Sequence, residues 1–434
     1  MSADLAALAE QSGTKFLLAL FVDLRGKPCA KLVPVEAVDL LATEGVGFAG
    51  YAVGAMGQEP KDPDLMAIPD VASFTPIPFI KDGLAIVHCD PHVNGEPWPY
   101  APRVILNALI QQAADAGFEP WVGAEVEYFL LRRDADGGLS VADAADTAAQ
   151  PCYDARGVTR MYDHLTAISA AMNTLGWSNY ANDHEDGNGQ FEQNFEYADA
   201  LTTSDRVITL RYLLSMIAAD RGMVATFMPK PFAEKTGSGL HLHLSLTTGG
   251  TPVFPADEDC RGLGLSETAY SFIGGILEHA CALQAVVAPT VNSYKRTGAT
   301  TTSSGASWAP RTPTYGGNDR THYIRVPDSS RVELRGGDGS ANPYLAIAAA
   351  LGAGIDGIKR SADPGAVGEG TTRPLPPTLL HAVEEFEGDP VVTGVLDAAG
   401  DGVASYFANV KREEFFAYHS AVTPWEIDNY LTAF

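Results

Sequence analysis

The sequence has no run of about 18 uninterrupted apolar residues, so it offers no candidate membrane-spanning helix. Cysteine is sparse. Cys29, Cys89, Cys152, Cys260 and Cys281 are widely spaced and form no CxxC pair, which argues against a disulfide framework or a cysteine zinc site and predicts reduced thiols. Basic residues are few: 29 Lys and Arg stand against 54 Asp and Glu, a formal charge of −25. Such a chain repels nucleic acid and anionic lipid, so neither is an expected partner. Met1-Ser2-Ala3-Asp4 has no basic n-region, so no secretory signal is expected and the expected address is cytoplasmic. A Gly-x-x-x-x-Gly-Lys-Ser/Thr loop is also missing, which removes the P-loop ATPases.

What is present is apolar bulk. Of 434 residues, 46% are hydrophobic, enough for a sizeable core and too many for a disordered polymer. At roughly 150 residues per domain the length suits two or three domains. Residues 15–23 and 29–35 read as strands joined by an Arg25-Gly26-Lys27-Pro28 turn. A short helix over 36–43 and extended segments at 65–68 and 84–89 complete a small mixed unit ending near residue 100. Beyond it, helical patterns cover 103–116, 158–175, 266–287 and 343–359, and another runs from a Ser204 or Asp205 cap to residue 221. Short strands lie between them. Residues 134–151, 297–307 and 361–377 read as irregular.

Three strand-like segments carry polar side chains two residues apart, and alternate residues of a strand share a face. Glu125 and Glu127 pair in Gly123-Ala124-Glu125-Val126-Glu127-Tyr128-Phe129. In Gly239-Leu240-His241-Leu242-His243-Leu244-Ser245-Leu246, leucines take one face and His241, His243 and Ser245 the other. Arg331 and Arg335 flank Glu333 in Arg331-Val332-Glu333-Leu334-Arg335. A solvated face would favour Lys, Thr and Ser, so these faces are expected to line one cavity. Glu185 and Glu192, set around a tight glycine loop, are expected to join the same cavity. Five carboxylates and one imidazole suit Mg²⁺ or Mn²⁺ and exceed the need of one ion, so two or three are expected. Arg296, Arg320, Arg325, Arg331 and Arg335 fall within residues 296–335, a set apt for a carboxylate and a migrating phosphoryl group. On residues alone, phosphoryl transfer and metal-dependent amide hydrolysis both remain open, separable by ATP dependence.

These motifs, with Ala225-Thr226-Phe227-Met228-Pro229-Lys230-Pro231, Asn292-Ser293-Tyr294-Lys295-Arg296 and Ala341-Asn342-Pro343-Tyr344-Leu345, resemble the glutamine synthetase family over roughly residues 15–430. The resemblance implies an α+β fold: an N-terminal β-grasp domain over residues 1–100, and a catalytic domain over 101–434 with a curved antiparallel sheet flanked by helices. It implies an ATP-dependent carbon–nitrogen ligase that phosphorylates the γ-carboxylate of L-glutamate before an amine attacks. It also implies a dodecamer of two hexameric rings with sites between neighbouring subunits. Carried over by position, Glu127, Glu185 and Glu192 would hold one metal, and Glu125, His241 and Glu333 the other. Arg296, Arg335 and the Gly237 backbone would bind glutamate, with Arg320 beside them. Arg320 and Arg325 would stabilise the moving phosphoryl group. His243, Ser245, Arg325 and Arg331 would contact ATP.

The departures bear on the amine. Phe48-Ala49-Gly50-Tyr51-Ala52 stands where the family has an aspartate thought to deprotonate ammonium, and residues 297–308, ending in Trp308, contain no acid where the family's flap carries a glutamate. Thr236 replaces an asparagine, and no adenylylation tyrosine lies near residues 370–377. The Thr- and Ser-rich flap is similar to that of γ-glutamylmethylamide synthetases, so methylamine is the expected acceptor, with ammonia or a polyamine as alternatives. The base that takes the amine proton is unassigned: Asp64, Asp183 and Asp186 are its candidates.

Overall fold

The computed structural model describes residues 4–298, 308–369 and 373–434. Its first sheet is built from β1 (Phe16–Val22), β2 (Pro28–Pro34), β3 (Val46–Phe48), β4 (Leu65–Pro69) and β5 (Leu84–Val93), in the order β2–β1–β5–β4–β3. Two short strands pair with β5. β1 and β5 run parallel and their outer neighbours antiparallel, as the β-grasp expectation requires. The alternation in β1 explains why this sheet lies between two cores. Leu17, Ala19 and Phe21 enter a small N-terminal cluster, while Leu20 and Val22 join the main core of the molecule.

The second sheet has eleven strands, is curved and is mostly antiparallel. Its path runs β7 (Ala181–His184), β8 (Gln190–Asn194), β6 (Glu119–Arg133), β9 (Leu240–Thr248), β11 (Arg331–Leu334) and β10 (Ile324–Asp328). Leu240, Leu242, Leu244 and Leu246 are all buried, so the predicted leucine face of β9 is the one that meets the helices. Those helices include α1 (Pro102–Asp115), α2 (Ala200–Ala219), α3 (Glu267–Glu278), α4 (Ala280–Val287) and α5 (Pro343–Arg360).

Several expected helix limits change. The predicted helix over 266–287 breaks at His279 into α3 and α4, bent by 74°. The His279 imidazole is clasped at the break by Asp389 (2.7 Å) and Asp356 (3.1 Å). The pattern over 158–175 splits at Met161. α2 starts earlier than expected, capped by Asp199, whose side chain accepts from Thr202 N. Ser204 and Asp205 therefore lie inside that helix, both buried. No single described helix is long and apolar enough to cross a membrane.

Asp205 is buried because Arg103 needs it. The Arg103 guanidinium, 3% exposed, bonds Asp205 from Nε and Nη2 (both 3.1 Å), Asp90 from Nη1 (2.9 and 3.0 Å) and Asp70 from Nη2 (2.6 Å). Tyr344 Oη donates to Asp205 at 2.6 Å. This cluster joins the first sheet to α1, α2 and α5. Removing the cation from a buried group of carboxylates typically costs about 3–5 kcal/mol. Arg103→Met is therefore expected to lower stability by about that amount, read as a fall in urea midpoint; a loss under about 1 kcal/mol would make the cluster energetically inert.

Candidate active site

Strand register assembles the cleft. Across β6 and β9, His241 faces Glu125; across β9 and β11, His243 faces Glu333. Across β6 and β8, Glu192 faces Glu127 and Asn194 faces Glu125. Each of these strands thus turns its polar alternation to one side. Glu125 accepts from His241 Nδ1 and His243 Nε2, both at 2.9 Å. Glu333, with no exposed surface, lies beneath, bonded to Arg325 Nη1 (2.7 Å) and to Arg335 Nη1. Glu127 Oε2 accepts from Gly239 N at 2.8 Å and from Gln190 Nε2 at 3.1 Å.

The result is a cavity of about 820 Å³. Glu125, Glu127, Glu185, Glu192 and His241 line it, opposed by Arg296, Arg320, Arg325 and Arg335 and by Gly237. A second cavity of about 460 Å³ contains His243, Ser245 and Arg331 with the aromatic rings of Trp121, Tyr180 and Tyr197. Glu125 belongs to both. Arg331 Nε donates to His243 Nδ1 at 3.1 Å, which links these two expected nucleotide contacts.

Asp64 is exposed and lines neither of these two cavities. Asp183 and Asp186 line the larger one. Trp308 Nε1 donates to Asp186 at 2.8 Å. Residues 299–307, most of the acid-free stretch, lie outside the described residues. Sequence reasoning gave no role to Gln190, Asn194, Cys152 or Tyr153, yet all four line the larger cavity, Gln190 and Asn194 on the same strand face as Glu192. That alternation was the available signal. Cys152 and Tyr153 carry no such pattern.

Electrostatics divides the carboxylates. Burial would raise Glu125, but the bonds from His241 and His243 outweigh it and hold it well below its ordinary range. Burial likewise opposes the lowering of Glu333, which the charges of His241 and Arg335 achieve. Glu185 and Glu192 go the other way. Burial, and then neighbours Glu127 and Asp183 for one and Glu125 and Glu185 for the other, push both well up. Asp183 is pushed up to about 6 by burial and by Glu125 and Glu127.

Such crowding fits a divalent cation. Ligand atoms lie within 4.8 Å of one another in Glu125–Glu192–His241, in Glu125–His243–Glu333 and in Asp183–Glu185–Glu192. The donors in these groups are oxygen-rich with at most one imidazole each, the preference of Mg²⁺ and Mn²⁺. Arg296 Nη1 is buried with no hydrogen-bond partner among the described residues, a donor suited to an anion.

Residues 99–430 match the family profile described as glutamine synthetase, catalytic domain. A glutamine synthetase of Rhizobium leguminosarum bv. phaseoli is 43% identical, covering 99% of this chain and 100% of its own length. A glutamate–methylamine ligase of Methyloversatilis universalis is 38% identical, covering 98% of each. A solved structure described as a GmaS/ADP complex superposes with a TM-score of 0.92 at 45% identity, covering 99% of each chain. The sheet order, the carboxylate–imidazole register and these matches agree, and the chain belongs to the glutamine synthetase family of carbon–nitrogen ligases.

Proposed function

We propose that the chain is the ligase that joins the γ-carboxylate of L-glutamate to methylamine through a γ-glutamyl phosphate, releasing ADP and phosphate. The observation that carries the amine is the wall of the larger cavity around Asp186. Trp308 bonds Asp186 there, and Cys152 and Tyr153 line the same cavity. An indole, a phenol and a thiol among the acids Asp183, Glu185 and Asp186 suit an alkylated amine better than a bare ammonium ion. The glutamate–methylamine ligase among its relatives supports this reading. A second reading, ammonia as acceptor, is favoured by the Rhizobium relatives named glutamine synthetase, 43% and 41% identical.

The roles follow from the charges. Arg296, with its buried unpartnered Nη1, and Arg335 take the carboxylates of glutamate beside Gly237. Arg320 and Arg325 face the acids across the cavity and hold the phosphoryl oxygens. His243, Ser245 and Arg331 receive the nucleotide in the second cavity, so the γ-phosphoryl enters past Glu125. Cations held by Glu127, Glu185 and Glu192 and by Glu125, His241 and Glu333 would neutralise phosphate charge during transfer. Methylammonium has a pKa of about 10, so freeing its proton at pH 7 costs roughly 4–5 kcal/mol. Asp183, which lines the cavity and is raised by burial and by Glu125 and Glu127 while no cation is bound, is the base we propose. Asp64 would act only from a neighbouring subunit of a dodecamer, the assembly we propose for this chain.

Two measurements test the reading. Phosphate release from ATP, with Mg²⁺ and glutamate, is compared across ammonium, methylamine, ethylamine and putrescine at matched free-amine concentrations. Methylamine is expected to exceed ammonium by at least about tenfold in kcat/KM, about 1.4 kcal/mol of transition-state discrimination. Ammonium winning would select the second reading.

The second measurement concerns the cations. Carboxyls held above their ordinary range stabilise the fold at low pH and lose that contribution as pH rises through their folded value, about 6 for Asp183. Glu125 and Glu333 act oppositely, but their lowered values place that change below this window. The cation-free protein is therefore expected to have a lower Tm at about pH 8 than at about pH 5.5. Millimolar Mg²⁺ or Mn²⁺ should raise Tm more at the higher pH; calorimetry showing equal gains would remove the coupling.

A further inference from the structure

Gln190 opens β8, has no exposed surface and is used by none of the steps above. Its carboxamide touches three parts of the site. Oε1 accepts from Gly187 N at 2.9 Å, in the turn between Glu185 and Glu192. Nε2 lies 3.1 Å from Glu127 Oε2, 3.2 Å from Gly237 O and 3.2 Å from Ser238 Oγ. The partners fix the orientation of the amide. Gly187 N can only donate, whereas the Glu127 carboxylate and the Gly237 carbonyl can only accept, so the nitrogen must face the latter pair.

That arrangement has a mechanical consequence. Gly239 N and Gln190 Nε2 both donate to Oε2 of Glu127, which leaves Oε1 as the oxygen nearer His241, 3.7 Å from its Nε2. The same amide group also holds the carbonyl of Gly237. There is little slack on that side: a Cβ at Gly237 would lie 2.4 Å from Pro229 O and 2.8 Å from Arg296 Cγ. A displacement of Glu127 is therefore felt, through one NH₂, by the backbone packed against Arg296.

We propose that Gln190 is a positioning residue that couples cation binding at Glu127 to glutamate binding at Gly237 and Arg296. The inference rests on the roles given to Glu127, Gly237 and Arg296 in the proposed function. Coupling of this kind is reciprocal: a cation that steadies Glu127 tightens glutamate, and glutamate tightens the cation equally. The nucleotide side is outside the coupled set, because Gln190 makes no hydrogen bond to His243, Ser245 or Arg331.

Two substitutions separate the functions of the carboxamide. Gln190→Glu keeps an acceptor for Gly187 N and loses the donors; Gln190→Met keeps the size and loses both. Free Mn²⁺ is followed by electron paramagnetic resonance on the nucleotide-free full chain, with and without L-glutamate, alongside KM for glutamate and for ATP. In the unaltered protein glutamate should tighten Mn²⁺ binding. Both variants should lose that effect and raise the glutamate KM about tenfold or more, with the ATP KM changed by less than about twofold. Retained coupling in both variants overturns the proposal. So does loss in Gln190→Met alone, which would reduce Gln190 to an anchor for the turn. A parallel rise in both KM values also overturns it, as general loosening. An unaltered protein that forms amide yet shows no coupling sinks this inference alone, whereas one without ligase activity sinks the proposed function.

Discussion

Five glutamates, Glu125, Glu127, Glu185, Glu192 and Glu333, are gathered around one cleft, all of them buried or half-buried, and their mutual repulsion is the constraint the rest of the structure answers. The protein answers it unevenly. Glu125 receives two imidazoles and Glu333 two guanidiniums, and both are held in the charged form. Glu185 and Glu192 receive no cationic side chain among the described residues and are pushed toward protonation. The half of the cleft with protein counter-charges is thus held in the charged form by the chain alone, while the other half has no such counter-charge among the described residues.

Holding repelling groups together requires a rigid frame. Here it is a run of adjacent antiparallel strands, β8, β6, β9 and β11, whose leucine and aromatic faces are sealed against helices. Slippage by one residue would invert every side chain, so the buried leucines of β9 fix the site's register as well as its stability. The turn carrying Glu185 has less strand pairing and is braced by side chains instead. Asp146 accepts from His184 Nε2 (2.7 Å), Gly189 N (2.6 Å) and Asn188 Nδ2 (3.1 Å), and Gln190 supports the opposite side.

The period-two code of these strands was legible because apolar and polar positions alternate without interruption in residues 240–246, and the paired glutamates of β6 could be read the same way. Which strands are neighbours is a long-range matter that alternation does not encode; the family motifs supplied the grouping of residues instead. Helix limits failed where tertiary contacts override local pattern. His279 breaks an apolar run because two aspartates from distant helices hold its ring, and Asp205 looked like a cap because its real partner, Arg103, is 102 residues away. Asp146 escaped notice for a related reason: its partners His184, Asn188 and Gly189 lie about forty residues away, whereas Gln190 shared the legible alternation of Glu192 and Asn194.

The two cavities meeting at Glu125 imply a direction for the chemistry. The aromatic-lined chamber with His243, Ser245 and Arg331 is the more apolar in lining, while the larger chamber combines acids with arginines. A nucleotide in the first and an amino acid in the second would bring a phosphoryl group and a carboxylate together beside Glu125. The amine must then approach from the remaining side, where Asp183, Asp186, Tyr153 and Trp308 lie. A charged ammonium gains most from acids there, but only a neutral amine can attack. In the proposed reaction, a wall that sets aromatic rings beside its carboxylates, with Asp183 lifted to about 6 by burial and by Glu125 and Glu127, balances those two demands.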